Sequence, residues 1–179
     1  MNNRREYRLC GTGGQGLILA SIILAEAAAQ NGMQVVQTQS YGPEARGGAS
    51  KSEVIVAPDR IDHPKVIQPH TVLIMSSKAY AKYGADYHPQ GTVILDSTFV
   101  TDAENKYAFK LPITRHARTE LGTEIVANIV ALGVINTLSE EVPHNLLQEA
   151  VLNRAPKGTE VINTKALELG MRLAQTLTR

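Results

Sequence analysis

The densest run of chemically suggestive residues is Gly11-Thr12-Gly13-Gly14-Gln15-Gly16, a G-x-G-x-x-G pattern with an extra glycine at Gly14. Glycines at this spacing let a backbone take positive φ and bring its amide hydrogens against a phosphate. A helix that follows adds the partial positive charge of its first turn. The chemistry in view is anion binding. A dinucleotide site also calls for a carboxylate about 20 residues further on, to hold a ribose hydroxyl, and Gln34-Val35-Val36-Gln37-Thr38-Gln39 has none. A nicotinamide or flavin dinucleotide is therefore disfavoured, with NADP left open. A P-loop needs Lys and then Ser or Thr after its last glycine, but Leu17 and Ile18 follow Gly16. A tight turn that packs strand on helix and binds nothing is the other reading of the same residues.

A second run, Ser40-Tyr41-Gly42-Pro43-Glu44-Ala45-Arg46-Gly47-Gly48, falls after the next strand signal. In a doubly wound sheet the loops after the first and second strands share the edge where ligands bind, so the two runs should be neighbours. Arg46 could grip a phosphate or carboxylate with its planar fork, while Gly47 and Gly48 leave room for the approach. The plainer alternative is a surface pair between Arg46 and Glu44, worth little.

Other candidates weigh less. Ser76 and Ser77, and likewise Asp96, Ser97 and Thr98, follow apolar strand signals and read first as helix caps and turn formers. His63, His70, His88, His116 and His144 show no metal-ligand spacing and default to the surface. Cys10 closes an apolar strand and reads as a small buried hydrophobe. No Gly-x-Ser-x-Gly and no cysteine with a partnered base is present, so nucleophilic catalysis has no support.

The elements that must position these residues can be read from periodicity. Strand signals fall at 7–10, 33–38, 50–57, 71–75, 92–95 and 107–113. Helical signals fall at 17–31 with a stop at Gly32, at 79–83, and over 119–138, 145–153 and 164–176. The first helix carries one charge, Glu26, and should be buried around most of its circumference. Residues 58–69 read as an irregular surface excursion. This alternation predicts an α/β fold, a single three-layer domain over residues 1–179 with a mostly parallel sheet and a helix-rich C-terminal third.

Composition agrees. The 179 residues hold 43% apolar and 20% charged side chains, enough for one core. A net charge of +1 lacks the basic surplus of a phosphate-backbone binder, so nucleic acid is a poor first guess. One cysteine excludes an internal disulfide and a metal centre built from several thiolates of this chain alone. A polar start and no apolar run near the ~20 residues needed to span a bilayer point to a cytoplasmic protein with no membrane partner.

Together, Cys10-Gly11-Thr12-Gly13-Gly14-Gln15-Gly16, Gly42-Pro43-Glu44-Ala45-Arg46-Gly47-Gly48, Leu121-Gly122 and Asn128-Ile129-Val130-Ala131-Leu132-Gly133 closely resemble the gamma subunit of 2-oxoacid:ferredoxin oxidoreductases. The 2-oxoglutarate branch is nearest, and the likeness covers nearly the whole chain. It implies a heteromeric enzyme that oxidatively decarboxylates a 2-oxoacid with coenzyme A to an acyl-CoA (succinyl-CoA in the 2-oxoglutarate branch), CO2 and reduced ferredoxin. It also implies that thiamine diphosphate and magnesium sit between alpha and beta subunits, and that iron–sulfur clusters lie in beta or a separate delta subunit. None of these would be bound by this chain alone. Carried over, Gly11, Gly13, Gly14, Gln15 and Gly16 would form one wall of a coenzyme A or subunit contact. Tyr41, Gly42, Glu44, Arg46, Gly47 and Gly48 would form the other. No catalytic residue is implied. The smaller subunit of indolepyruvate ferredoxin oxidoreductase and a stand-alone nucleotide- or phosphate-binding module remain the alternatives.

Overall fold

Alternating apolar residues turn six segments of this chain into one sheet. The computed structural model describes residues 4–40 and 48–177. In chain order the elements are β1 (Arg5–Thr12), α1 (Leu17–Gln30), β2 (Gln34–Ser40), β3 (Ala49–Ala57), β4 (Thr71–Ile74), α2 (Ser77–Tyr83), β5 (Thr92–Asp96), β6 (Phe109–Leu111), α3 (Ile113–Leu121), α4 (Ala127–Ser139), α5 (His144–Arg154) and α6 (Glu160–Gln175). The strand order is β2-β3-β1-β4-β5-β6. β1, β4, β5 and β6 run parallel, and β3 alone is reversed, antiparallel to both β1 and β2. The fold is therefore α/β with a mostly parallel sheet.

Strand alternation sends side chains to two separate cores. Tyr7, Leu9, Val54, Leu73 and Ile94 pack under α1 and α3 to α6. Cys10, Val72, Ile74, Val93 and Leu95 pack on the other face with Ala79 of α2. That second face also buries charge: Arg8 Nε donates to Glu53 Oε1 at 2.7 Å, and Arg8 reaches Asp86 at 2.8 Å. On the first face α4 and α6 cross at glycines, since a Cβ on Gly170 would lie 2.0 Å from the Val130 carbonyl oxygen.

Two sequence expectations change. The helical signal over 119–138 is two helices, because Gly122 takes φ +75° and ends α3 before α4 starts. The strand expected over 107–113 shortens to Phe109–Leu111, with Pro112 leading into α3. In the sheet β3 inserts between β1 and β2. β2 still points the same way as β1, since two antiparallel pairings restore the direction.

Candidate functional site

β1 leaves the sheet between β3 and β4, with Thr12 opposite Ala49 and Cys10 opposite Ile74. The strand ends at the rim where β4 and β5 also end. The chain must then reverse into α1, and it does so through two left-handed glycines, Gly14 at φ +95° and Gly16 at φ +71°. Between them Gln15 acts as a tie. Its Oε1 accepts the Thr12 N–H at 2.8 Å, and its Nε2 donates to the Met75 carbonyl at 2.8 Å. The loop is thereby fixed to the end of β4. The first turn of α1 carries no acidic residue, so nothing on the helix offsets its positive end.

The glycines divide by what surrounds them. A Cβ on Gly11 would lie 2.3 Å from Gln15 Oε1 and 2.6 Å from Leu17 Cδ1, and one on Gly16 would lie 2.6 Å from Asn128 Nδ2. Asn128 Nδ2 also donates to the Gly16 carbonyl at 3.1 Å. These two glycines serve internal packing. At Gly13 and Gly14 a Cβ would meet nothing within 4 Å. Both open onto a cleft of ≈ 640 Å³.

Residues from four further segments line that cleft: Ser76, Ser77 and Lys78 at the start of α2, Phe99 after β5, Thr114 in α3, and Glu124, Ile125 and Ala127 at the start of α4, with the Glu124 carboxylate paired to Arg118. Phe99 and Ile125 are 40% and 86% exposed, which leaves apolar surface beside the polar loop. Ile125 also borders a separate apolar groove of ≈ 260 Å³ between α1, α4, α5 and α6. The polar groups converge on the glycine cleft, and that is where a ligand would be oriented.

Of the sequence candidates, Gly13, Gly14 and Gln15 line the cleft, and Gly11 and Gly16 stand behind it. Gly48 is buried directly before Ala49, the residue paired with Thr12, so the end of the second glycine run lies beside the first loop. Tyr41, Gly42, Glu44, Arg46 and Gly47 lie outside the described residues. Ser76 caps α2 by accepting the Ala79 N–H at 3.2 Å. Asp96 is fully buried and accepts the Thr98 N–H at 3.0 Å and the Thr114 hydroxyl at 2.5 Å. Both have the capping and turn roles expected of them. Cys10 is buried, and desolvation pushes its thiol up to about 12, which makes it inert at neutral pH. Phe99, Thr114 and Ile125 carry no sequence signal, because each is an ordinary residue in its own segment and the fold alone brings them together. Lys78 directly follows Ser76 and Ser77, so the strand-end position that singled out those serines could also have found it.

A family model for pyruvate ferredoxin/flavodoxin oxidoreductase matches residues 6–173. The chain belongs to that family. It is 45% identical to the 2-oxoglutarate synthase subunit KorC of Methanocaldococcus jannaschii, covering 97% of this chain and 96% of the relative. Among solved structures it is similar to the keto/oxoacid ferredoxin oxidoreductase gamma subunit from Geobacter sulfurreducens PCA. That likeness has a TM-score of 0.86 and 42% identity, and covers 96% of this chain and 99% of the other. The fold also matches 2-oxoglutarate:ferredoxin oxidoreductase from Magnetococcus marinus, with a TM-score of 0.87 at 20% identity, covering 98% of this chain but 32% of that longer one. Among the described residues no helix is long and apolar enough to cross a membrane.

Proposed function

We propose that this chain, as one domain over residues 1–179, is the gamma subunit of a cytoplasmic 2-oxoglutarate:ferredoxin oxidoreductase. It contributes coenzyme A recognition and closure of the active site, while alpha and beta subunits, with a delta subunit in some assemblies, carry the decarboxylation. Ferredoxin is reached through those partners. The observation that carries this reading is the pair Gly13 and Gly14, open onto a cleft at the start of α1, in a chain similar over its length to 2-oxoglutarate synthase subunits.

Backbone amides and a helix start suit the diphosphate of coenzyme A, and Phe99 with Ile125 suits its aliphatic arm. Tyr41, Gly42, Glu44, Arg46, Gly47 and Gly48 are proposed as the second wall, with Arg46 paired to a phosphate. The chain holds its ligand and supplies no acid or base to the reaction. Thiamine diphosphate, magnesium and iron–sulfur clusters are assigned to the partner chains.

Reconstitution with the partner subunits tests this. Without this chain, 2-oxoglutarate-driven ferredoxin reduction should lose its dependence on coenzyme A. Arg46→Ala should weaken that dependence while the chain remains folded, and unchanged turnover would remove Arg46 from the site. Thermal shifts with coenzyme A, NADH and ATP give a second readout, since a ligand at 100 times its Kd adds about 2.7 kcal/mol. A response to NADH without one to coenzyme A would overturn the ligand assignment.

A further inference from the structure

The opposite rim of the sheet, where β1, β4 and β5 begin, holds a pocket of ≈ 190 Å³ lined by Arg5, Tyr7, His70, His88, Gln90 and Ser139 among others. The two imidazoles stack, with centroids 4.8 Å apart and planes inclined by 16°. His70 Nδ1 accepts the Glu6 N–H at 3.2 Å, and His88 Nδ1 accepts the Gln90 N–H at 3.2 Å. With Nδ1 engaged as an acceptor, each neutral ring carries its proton on Nε2 and keeps that donor for another partner. Arg5 forms no ion pair among the described residues, and the buried Ser139 hydroxyl makes no well-formed hydrogen bond, with the Tyr7 hydroxyl close enough to interact with it.

No carboxylate lines this pocket. The carboxylates of Glu6 and Glu141 are committed elsewhere. Glu6 accepts from Arg4 and from the Ile67 and Gln68 amides, and Glu141 accepts the Tyr7 hydroxyl proton at 2.6 Å. A polar cavity furnished with a guanidinium, two imidazole N–H groups, an amide and a buried hydroxyl is complementary to oxygen-borne negative charge. We propose that it binds a compact tetrahedral oxyanion, as free phosphate or as the phosphate of a small monoester, at the rim remote from the glycine loops.

Burial first, then the neighbouring His88 and Arg5, hold His70 below the usual histidine value, with Arg4 acting in the same direction and Glu6 opposing it. An anion placed among these groups reverses the repulsion and draws a proton onto the pair. By linkage, the protonated pair then holds the anion more tightly.

Histidine-detected NMR of the full chain tests this, with sulfate as the probe because its charge is constant over the range. At matched ionic strength, sulfate should raise the titration midpoint of His70. It should bind about tenfold tighter at low pH than at high pH if one imidazole rises by about one unit. Arg5→Gln, a change at an exposed position, should abolish the midpoint shift. Equal shifts in wild type and Arg5→Gln, or no shift in wild type, would overturn the proposal, because sulfate also stabilises proteins non-specifically. Inorganic phosphate and glycerol 3-phosphate then identify the source: tighter binding of the ester favours a metabolite, tighter binding of phosphate favours the free ion, and binding of neither overturns the site.

Discussion

Gly11 and Gly16 differ from Gly13 and Gly14 although all four belong to one six-residue motif. The outer pair is glycine because protein atoms occupy the space a side chain would need, and the inner pair leaves that space open at the mouth of a cleft. A phosphate-binding fingerprint thus combines two requirements, close packing of loop on helix and close approach of a ligand. Substitutions should separate them.

The largest effect is expected at Gly16. Alanine there must adopt φ +71° and displace Asn128. A left-handed residue costs about 1–2 kcal/mol and an overfilled site about 1–3 kcal/mol, so Gly16→Ala should destabilise by roughly 2–5 kcal/mol in urea unfolding. A loss below about 1 kcal/mol would mean that the outer pair is not set by packing. Gly11→Ala should cost less, about 1–2 kcal/mol, because Gln15 Oε1 and Leu17 Cδ1 are the far ends of flexible side chains. Both Gly11→Ala and Gln15→Ala break the tie from Thr12 to Met75. Their stability losses should therefore not add in a double-mutant cycle, whereas simple additivity would show that Gly11 acts independently of Gln15.

The inner pair should show the reverse pattern. Gly13→Ala meets open space at an ordinary φ and should change stability by less than about 0.5 kcal/mol. In the reconstituted complex the same methyl group should raise the KM for coenzyme A about tenfold, equivalent to about 1.4 kcal/mol of binding. Gly14→Ala adds the strain of φ +95° and should combine that loss with about 1 kcal/mol of destabilisation. Normal coenzyme A kinetics in both variants would dissolve the distinction between the pairs.

This division was hidden in the sequence. A G-x-G-x-x-G pattern shows where side chains are missing, but what an absent Cβ would meet depends on the fold, as at Gly16, where it is Asn128, distant along the chain. The strands were legible, since 50–57 and 71–75 alternate or run apolar within turn residues. The order of those strands was not, and the reversed β3 beside β1 left no local trace. Gly122 shows the same limit on a smaller scale: the apolar period runs on past it, and only its left-handed φ divides the helix. At the second loop the strand signals ending at Thr38 and restarting at Ser50 mark two strands, and the pairing of β1 with β3 brings Gly48 to the first loop. In the sequence His70 and His88 look like separate surface residues, because stacking across two strand starts has no spacing rule.

The smallest effect tests whether the glycine rim is independent of the histidine rim. His70 is held below its usual value by burial and by the positive groups near it, so the unfolded chain takes up that proton more readily than the folded one. The resulting stability is complete above the unfolded value of about 6.5 and is lost as pH falls through the folded value. Thermal unfolding without added oxyanions should therefore weaken as pH falls from about 6.5 towards 5, before carboxylates titrate. His70→Asn keeps an acceptor for the Glu6 N–H and cannot titrate, so it should flatten this slope. Gly13→Ala and Gly14→Ala leave His70 and its neighbours untouched and should keep the wild-type slope. A changed slope in either would show that strain at the glycine loop reaches the far end of β1, and the two rims would then have to be treated as one coupled unit.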